Sequence, residues 1–289
     1  MTTTGRGMLT VEPTAGALGA AVTGLDLAQV SEADELDGLR RALAEHLVVF
    51  LPGQALDLDV LERVTELLGG SDVTPFVDPL EDRPYVIRVV KEADDILNFA
   101  NAWHSDLSYL AAPPAYTLLH AWDVPSHGGD TVWSNQYLAY ESLSRGLRST
   151  LQGLSAVHSA GLAYGTGGLL DQVKDLTSMA IAPSVEAYAE QAHPAVTVHP
   201  VTGRAALYLN PVYTTRFEGW TKEESAPLLA HLYRNSINEN FTCRLRWSPG
   251  TLAIWDNRCT MHNALNDYSG VRREMYRTSV KGAPPLGVG

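Results

Sequence analysis

Residues 251–255, Thr-Leu-Ala-Ile-Trp, form a short run of apolar and β-branched side chains that is typical of a buried β-strand. The same pattern recurs from residue 84 onward in segments that turn residues separate. These segments are 85–90, 116–120, 131–133, 195–198, 206–209 and 276–280. Regularly interrupted short strands favour a sandwich, jelly roll or barrel over a doubly wound sheet. The chain is therefore predicted to be mainly β, with helical additions (α+β).

Helices are expected at the start of the chain and within two insertions between the strands. An N-cap at Ser31 predicts a helix in which leucines recur at helical spacing as far as Leu47. The other predicted helices are 57–68, about 135–151, and one that begins at the capping box of Thr221 and Glu224.

Length and composition favour a single domain that spans residues 1–289. A chain of 289 residues with 45% hydrophobic and 19% charged side chains can bury one large core. Residues 8–70 are interpreted as an N-terminal α+β elaboration of that domain. Residues 161–194 lack sustained periodicity and are long for a connection, so they are interpreted as a lid over the site. A disordered surface insertion is the alternative interpretation of residues 161–194.

The composition argues against several classes of partner. No apolar stretch approaches the roughly 20 residues that span a bilayer, and the N-terminus lacks the basic-then-apolar pattern of a secretory signal. The formal net charge of −12 opposes binding to nucleic acid or to an anionic membrane. Two cysteines are too few for a disulfide framework. We therefore expect a cytoplasmic protein that binds neither nucleic acid nor membrane.

His104 and Asp106 are the first candidate metal ligands. On an extended chain, residues two apart point to the same face, so both side chains can reach one ion. A second histidine, His262, follows an apolar strand, and two histidines with one carboxylate form the facial triad of non-haem iron(II) oxygenases. A hydrogen-bonded pair that arose by chance is the alternative for His104 and Asp106. Cys259 is interpreted as a core thiol.

Two arginines near the C-terminus indicate an anionic ligand. Arg273 and Arg277 are four residues apart, so a strand over 273–280 would place both guanidinium groups on one face and Arg272 on the other. Buried guanidinium groups require anionic partners. A solvent-facing basic patch is the alternative interpretation.

Ordered motifs along nearly the whole chain resemble the taurine dioxygenase and 2,4-dichlorophenoxyacetate dioxygenase (TauD/TfdA) family. The motifs are residues 18–27, 50–54, 103–106, 125–131 and 262–277. This resemblance implies a double-stranded β-helix, which is a cupin-like jelly roll. It also implies an iron(II) site made by His104, Asp106 and His262.

The resemblance further implies a reaction that uses 2-oxoglutarate and O2 as co-substrates. Arg273, assisted by the hydroxyl of Thr131, is expected to pair with the distal carboxylate of 2-oxoglutarate, and Arg277 with its C1 carboxylate. The expected reaction hydroxylates a C–H bond of a small anionic substrate and yields succinate and CO2. The family also suggests a homo-oligomer, either a dimer or a tetramer.

The substrate is less closely defined by the resemblance. Thr74 stands where the taurine enzymes carry a histidine that grips the sulfonate, which argues against taurine itself. The segments 209–213 and 240–244 look more like those of the aryloxyalkanoate (dichlorprop-type) branch. The residues predicted to line the substrate pocket are Thr74, Asn101, Tyr213 and Arg277. An alkyl sulfonate, a sulfate ester and a natural-product intermediate are the alternative substrates.

Two other classes of function use the same residues. A metal-dependent hydrolase with zinc or manganese would act without O2, and a non-catalytic barrel would bind anions through Arg273 and Arg277 alone. The complete His-Asp-His set together with both arginines favours the oxygenase.

Overall fold

A computed structural model describes residues 9–289 of the chain. Its strands are β1 Thr10–Pro13, β2 Ala20–Thr23, β3 Val48–Leu51, β4 Ser71–Asp72, β5 Ile87–Lys91, β6 Tyr116–Asp123, β7 Thr131–Asn135, β8 Ser155–Ser159, β9 Glu190–Pro194, β10 Val196–Val198, β11 Ala205–Leu207, β12 Thr214–Phe217, β13 Thr242–Leu245, β14 Leu252–Asp256, β15 Thr260–Ala264 and β16 Arg273–Val280. Residues 1–8 lie outside the described residues. The predicted domain 1–289 includes all of them, and the predicted N-terminal elaboration 8–70 includes residue 8.

Helices of modest length connect and cover these strands. They are α1 Asp37–His46, α2 Leu58–Gly69, α3 Gln136–Glu141, α4 Arg145–Gln152, α5 Gly161–Tyr164, α6 Leu169–Gln172 and α7 Lys222–Ser236, with 3-10 turns at Leu27–Gln29, Ala33–Leu36, Lys174–Leu176, Val185–Tyr188 and Glu239–Phe241. In the part of the chain that the structure describes, no helix has both the length and the apolar character needed to cross a bilayer.

The largest sheet has eight strands. Its order is β1-β2-β3-β14-β6-β16-β4, and β5 pairs with residues 273–277 of β16, on the same edge as β4. Its side chains alternate between the two faces, as the pleat requires. Val49 and Ile254 face one core cluster, whereas Phe50 and Trp255 face another.

Different layers cover the two faces of the large sheet. Helices α1 and α2 cover one face with apolar side chains such as Leu39, Leu43 and Val64, all of which are fully buried. On the other face, Phe50 and Trp255 pack with Trp133 of the three-stranded sheet β13-β7-β15. This arrangement of two sheets with an outer helical layer agrees with the predicted mainly β fold with helical additions.

The structure corrects some of the predicted boundaries. The 3-10 turn Ala33–Leu36, which leads into α1, is capped at Glu32 rather than at Ser31. The Glu35 carboxylate accepts hydrogen bonds from the backbone N–H groups of both residues. The predicted helix over 135–151 is two helices, because Ser144 starts a new N-cap after α3 has ended. Strand β9 takes up the last five residues of the predicted lid, 161–194, where it pairs with β8.

A buried ion-pair network fixes the turn between β14 and β15. The Asp256 carboxylate, whose side chain is 1% exposed, accepts hydrogen bonds from His199 Nε2 at 2.9 Å and from Arg258 Nε at 2.8 Å. The Nδ1 atom of His199 accepts from the backbone N–H of Thr202, so Nε2 carries the proton. Cys259 lies close enough to His199 and Asp256 for the three to be possible metal ligands, but the His199 imidazole and the Asp256 carboxylate already bind each other.

The charge of Asp256 contributes to stability in a pH-dependent way. Burial would raise the pKa of Asp256, but the charge and hydrogen bonds of Arg258 and the hydrogen bond from His199 outweigh it, and the pKa lies below its ordinary value. A carboxyl group with a lowered folded-state pKa stabilises the fold above its unfolded pKa and loses this contribution as the pH falls through the folded value.

We predict that Asp256→Asn lowers the free energy of unfolding at pH 7 by about 3–5 kcal/mol, because the buried His199 and the mostly buried Arg258 lose their anion. The difference from the wild type should be constant above about pH 5 and should shrink below about pH 4. Urea denaturation followed by tryptophan fluorescence measures the free energy of unfolding of each variant. Asp37→Asn, in an exposed pair with Arg40, is the matched control and should cost less than about 1 kcal/mol. Equal stability of Asp256→Asn and the wild type at pH 7 would contradict the prediction.

Candidate active site

A backbone bridge brings the two candidate histidine ligands together. His104 donates its backbone N–H to the carbonyl of His262 at 3.0 Å, and His262 donates back to the carbonyl of His104 at 2.8 Å. Residues that form an antiparallel bridge project their side chains to the same face. The two imidazole rings accordingly lie 4.2 Å apart, centre to centre.

Asp106 completes the group from the turn that follows His104. Its Oδ1 atom lies 3.6 Å from His104 Nε2 and 3.9 Å from His262 Nε2. The three side chains are buried, and each offers one ligand atom within 4.8 Å of the others. The next residue, Leu107, has a φ of 50°, a left-handed conformation that turns the chain sharply after Asp106.

Polar groups from other parts of the chain hold this turn in place. Ser108 is hydrogen-bonded to His158 Nδ1 at 3.0 Å, and it accepts a hydrogen bond from Asn210 at 2.8 Å. His193 binds the backbone carbonyl of Leu110 at 2.9 Å. His158 and His193 therefore have a structural role, because they fix the segment that carries Asp106.

The imidazoles present unprotonated nitrogens to the centre of the group. His104 Nδ1 binds the carbonyl of Ala102 at 2.7 Å, so this nitrogen is the donor and Nε2 carries the free lone pair. Burial and the neighbouring His104 lower the pKa of His262 to about 3, so its ring is neutral at pH 7. The His262 ring packs on Trp255 at 4.7 Å, and its Nδ1 has no hydrogen-bond partner among the described residues. Neutral imidazoles are the form that binds metal ions.

Asp106 is charged despite its burial. Burial would raise its pKa, but the charge of Arg277 outweighs burial and holds the pKa well below its ordinary value. Arg277 Nη2 lies 3.1 Å from Asp106 Oδ1. The other oxygen, Oδ2, accepts a hydrogen bond from the Thr117 hydroxyl at 2.7 Å. Two nitrogens and one carboxylate oxygen suit iron(II) or a similar divalent ion.

Arg273 lies nearby as a buried cation with unused donors. Its side chain is 2% exposed, and its Nε and Nη2 atoms have no hydrogen-bond partner among the described residues. Thr131 Oγ1 accepts a hydrogen bond from the Trp247 indole at 3.0 Å, which leaves the hydroxyl proton of Thr131 free to donate. Arg272, on the opposite face, forms ion pairs with Glu92 and Glu274. Arg273 and Arg277 therefore lie on one face of the strand and Arg272 on the other, as their spacing predicted.

Two adjoining cavities meet at the histidines and Asp106. The smaller cavity has a volume of about 40 Å³. Its polar lining consists of the three candidate iron ligands, His104, Asp106 and His262, together with Thr131, Arg273 and Arg277. The larger, of about 330 Å³, shares His104, Asp106 and Arg277 with the smaller one. The smaller cavity therefore offers cationic donors to an anion that would lie next to the three ligand atoms.

The larger cavity is mostly apolar. Asn101 and Tyr213 line it, as predicted from the sequence, whereas Thr74 is not among the described residues that line either cavity. The segment predicted to be a lid contributes Ala163, Tyr164, Leu169, Leu170, Val173 and Thr177 to its wall. This segment therefore forms part of the cavity wall in the structure.

Comparison with known proteins identifies the family. The model of the taurine catabolism dioxygenase TauD, TfdA family matches residues 10–279. The chain is 34% identical over 282 residues to an alpha-ketoglutarate-dependent sulfate ester dioxygenase of Pseudomonas putida, covering 97% of this chain and 92% of that protein. It is 29% identical to an (S)-phenoxypropionate/alpha-ketoglutarate-dioxygenase of Delftia acidovorans, covering 96% of each. Alpha-ketoglutarate is 2-oxoglutarate, so both relatives use the expected co-substrate.

A solved structure gives the same result. The crystal structure of a taurine dioxygenase from Burkholderia xenovorans superposes with a TM-score of 0.80 at 30% identity, covering 96% of this chain and 91% of that one. The predicted jelly-roll fold, the oxidoreductase activity and the requirement for iron(II), 2-oxoglutarate and O2 are thereby confirmed. The chain belongs to the TauD/TfdA family of 2-oxoglutarate-dependent dioxygenases.

Proposed function

We propose that His104, Asp106 and His262 hold the iron(II) of this dioxygenase. The observation that carries the proposal is the convergence of two imidazole nitrogens and one carboxylate oxygen, all buried, within 4.8 Å of one another. The three ligands line the smaller cavity, so part of the coordination sphere of the ion would face open space that co-substrates can enter.

We also propose that Arg273 and Thr131 bind the distal carboxylate of 2-oxoglutarate. The buried, unpartnered donors of Arg273 support this, because a guanidinium without an anion is costly to bury and binds a carboxylate through two parallel hydrogen bonds. Arg277, next to Asp106, is proposed to bind the C1 carboxylate. The two arginines would thus grip the two ends of one dicarboxylate.

The bound iron supplies the oxidising power of the reaction by coupling the reduction of O2 to the decarboxylation of 2-oxoglutarate. The protein's own residues position the reactants. Arg273 and Arg277 orient the co-substrate, and Thr117 orients Asp106 through its hydrogen bond to Oδ2. Side chains such as Leu107 and Val212 exclude water from the larger cavity, where the C–H bond that is attacked would lie.

For the prime substrate we propose an organic sulfate ester or sulfonate with an apolar body. The relatives of Pseudomonas putida and of Acinetobacter baylyi, an alkylsulfatase, support the anionic group. The apolar wall of the larger cavity, with Leu97, Leu169 and Leu170, supports an alkyl body. Hydroxylation of the carbon that bears the sulfate oxygen would give a hemiacetal-like product, which breaks down to an aldehyde and sulfate.

An aryloxyalkanoate is the second candidate substrate. Tyr164 and Tyr213 line the larger cavity, and the Tyr213 ring meets the His104 ring edge-on at 6.2 Å, which would suit an aromatic substrate close to the iron. Sequence identity favours the first candidate, because it is 34% with the sulfate ester enzyme and 29% with the phenoxypropionate enzyme.

Three further features are proposed from the sequence. The segment 161–194, without strand β9, is proposed to act as a lid over the larger cavity, which its position in the cavity wall supports. The family resemblance suggests a dimer or tetramer, and the composition suggests a cytoplasmic location.

The iron site can be tested by anaerobic absorption spectroscopy. Addition of iron(II) and 2-oxoglutarate to the wild type should produce the visible charge-transfer band of the iron chelate. His104→Ala should lose this band, because one of the three ligands is gone. His231→Ala, which removes an exposed histidine, is the control and should retain it. A full band in His104→Ala would count against the ligand assignment.

The 2-oxoglutarate site can be tested with a pair of neighbouring arginines. Arg273→Ala should weaken 2-oxoglutarate binding by about 10- to 150-fold, as expected when charged hydrogen bonds of about 1.5–3 kcal/mol are lost. Arg272→Ala, one residue away on the opposite face, should leave the affinity within about threefold of the wild type. Titration of the anaerobic band with 2-oxoglutarate measures both. Equal losses in the two variants would exclude a specific role for Arg273.

The substrate class can be tested by product analysis. With iron(II), 2-oxoglutarate and O2, a medium-chain alkyl sulfate should release sulfate in a one-to-one ratio with succinate. An alkyl sulfonate and an aryloxypropionate serve as parallel substrates, which would release sulfite and a phenol respectively. Succinate formation that is coupled only to release of the phenol would replace the first candidate with the second.

A further inference from the structure

A chain of hydrogen bonds approaches Asp106 from the side opposite the candidate iron position. It runs from the indole of Trp255 through the side chain of Asn257 and the hydroxyl of Thr117 to Asp106. The three bonds measure 3.0, 2.8 and 2.7 Å, and the three residues before Asp106 are at most 1% exposed. Buried networks of this kind hold their members rigidly when every member is satisfied.

The direction of every hydrogen bond in this chain is determined by its first member. An indole N–H can only donate, so the Asn257 atom that it meets must be the amide oxygen. The amide nitrogen of Asn257 therefore faces Thr117 and donates to its hydroxyl oxygen. The Thr117 hydroxyl then has its own proton to give to Asp106 Oδ2.

The same chain thereby distinguishes the two oxygens of Asp106. Oδ2 is occupied by the hydroxyl of Thr117, whereas Oδ1 faces the Nε2 atoms of His104 and His262. Rotation of the carboxylate to offer both oxygens to one ion would break the bond to Thr117. It would leave a buried hydroxyl without its acceptor, which costs about 1–3 kcal/mol.

The backbone fixes the relative positions of these residues. Thr117 on β6 lies directly opposite Trp255 on β14 in the large sheet. Asn257 donates its backbone N–H to the carbonyl of Ala115 at 3.0 Å. The ring of Trp255 also packs on His262, so one indole contacts one candidate ligand and orients another through the hydrogen-bond chain.

We infer that Trp255, Asn257 and Thr117 are positioning residues that restrict Asp106 to a single metal-binding oxygen. The inference rests on the proposed iron site. Iron(II) with six positions would receive three atoms from the protein and two from 2-oxoglutarate, so one position is left for O2. A second oxygen from Asp106 would fill that position. The hydrogen-bond chain therefore keeps open the position that the dioxygenase reaction requires.

The test replaces the Thr117 hydroxyl with a methyl group of similar size. Thr117→Val should weaken cobalt(II) binding by about 10- to 100-fold, the usual effect of losing a group that orients a metal ligand. It should also change the visible absorption of the bound cobalt(II), because a second carboxylate oxygen enters the coordination sphere. Thr117→Ser retains the hydroxyl and should restore both the affinity and the spectrum.

A second buried threonine provides the control for the loss of a hydroxyl. Thr65 is also fully buried, and its hydroxyl bonds Leu61 and Thr278 rather than the candidate site. Thr65→Val should leave cobalt(II) affinity and spectrum unchanged, even if it lowers the melting temperature. Thr117→Val with wild-type affinity and spectrum would overturn the inference and leave the iron site intact. Absence of cobalt(II) binding by the wild type would overturn both.

A further variant covers the case in which Thr117→Val does not fold. Asn257→Ala removes the donor that orients the Thr117 hydroxyl while it keeps the hydroxyl itself. We expect a loss of cobalt(II) affinity of several-fold together with the altered spectrum, and wild-type values for both would overturn the inference.

Discussion

The pair of backbone hydrogen bonds between His104 and His262 is the constraint on which the candidate site depends. These residues are 158 positions apart in sequence, and each gives its N–H to the carbonyl of the other. The bridge adds His104 to the edge of the three-stranded sheet β13-β7-β15, because His262 belongs to β15 and pairs with Trp133 of β7 on its other side. Both imidazoles are therefore placed by main-chain geometry, and Asp106 needs only one turn of chain to join them.

The charges of the site are opposite in sign to the charge of the whole chain. A net charge of −12 would repel a dicarboxylate in solution, so binding must come from local cations. Both arginines have buried donors without a hydrogen-bond partner among the described residues, and Arg277 in addition lies 3.1 Å from the Asp106 carboxylate. This difference suits two carboxylates in different surroundings, one held by a free guanidinium and the other next to a charged metal ligand.

Much of this arrangement could be predicted from the sequence, and the reasons differ from residue to residue. The continuous apolar run of β14 revealed this strand because the large sheet is buried on both faces there. The even spacing of Arg273 and Arg277 predicted that both side chains lie on one face of β16, because the alternation of side chains along a strand can be read from neighbouring residues. The ligand set needed the family resemblance as well, because no local pattern shows that residues 104 and 262 would be paired.

Other features could not be read from local patterns because they depend on contacts between distant segments. Thr117 looks like an ordinary strand residue, and its role arises only from its position opposite Trp255. Trp247 contacts Thr131 across 116 positions of chain, and nothing near it in sequence indicates a ligand site. The N-cap lies at Glu32 instead of Ser31, and the Glu35 side chain accepts a hydrogen bond from each of these two neighbours, so residue type alone does not locate the cap.

The most direct measurement of the central claim is an anomalous-difference map at the iron absorption edge, from crystals grown anaerobically with iron(II) and 2-oxoglutarate. We predict one peak at bonding distance from His104 Nε2, His262 Nε2 and a single oxygen of Asp106. A peak at His199, Asp256 and Cys259, or none at the three proposed ligands, would contradict it.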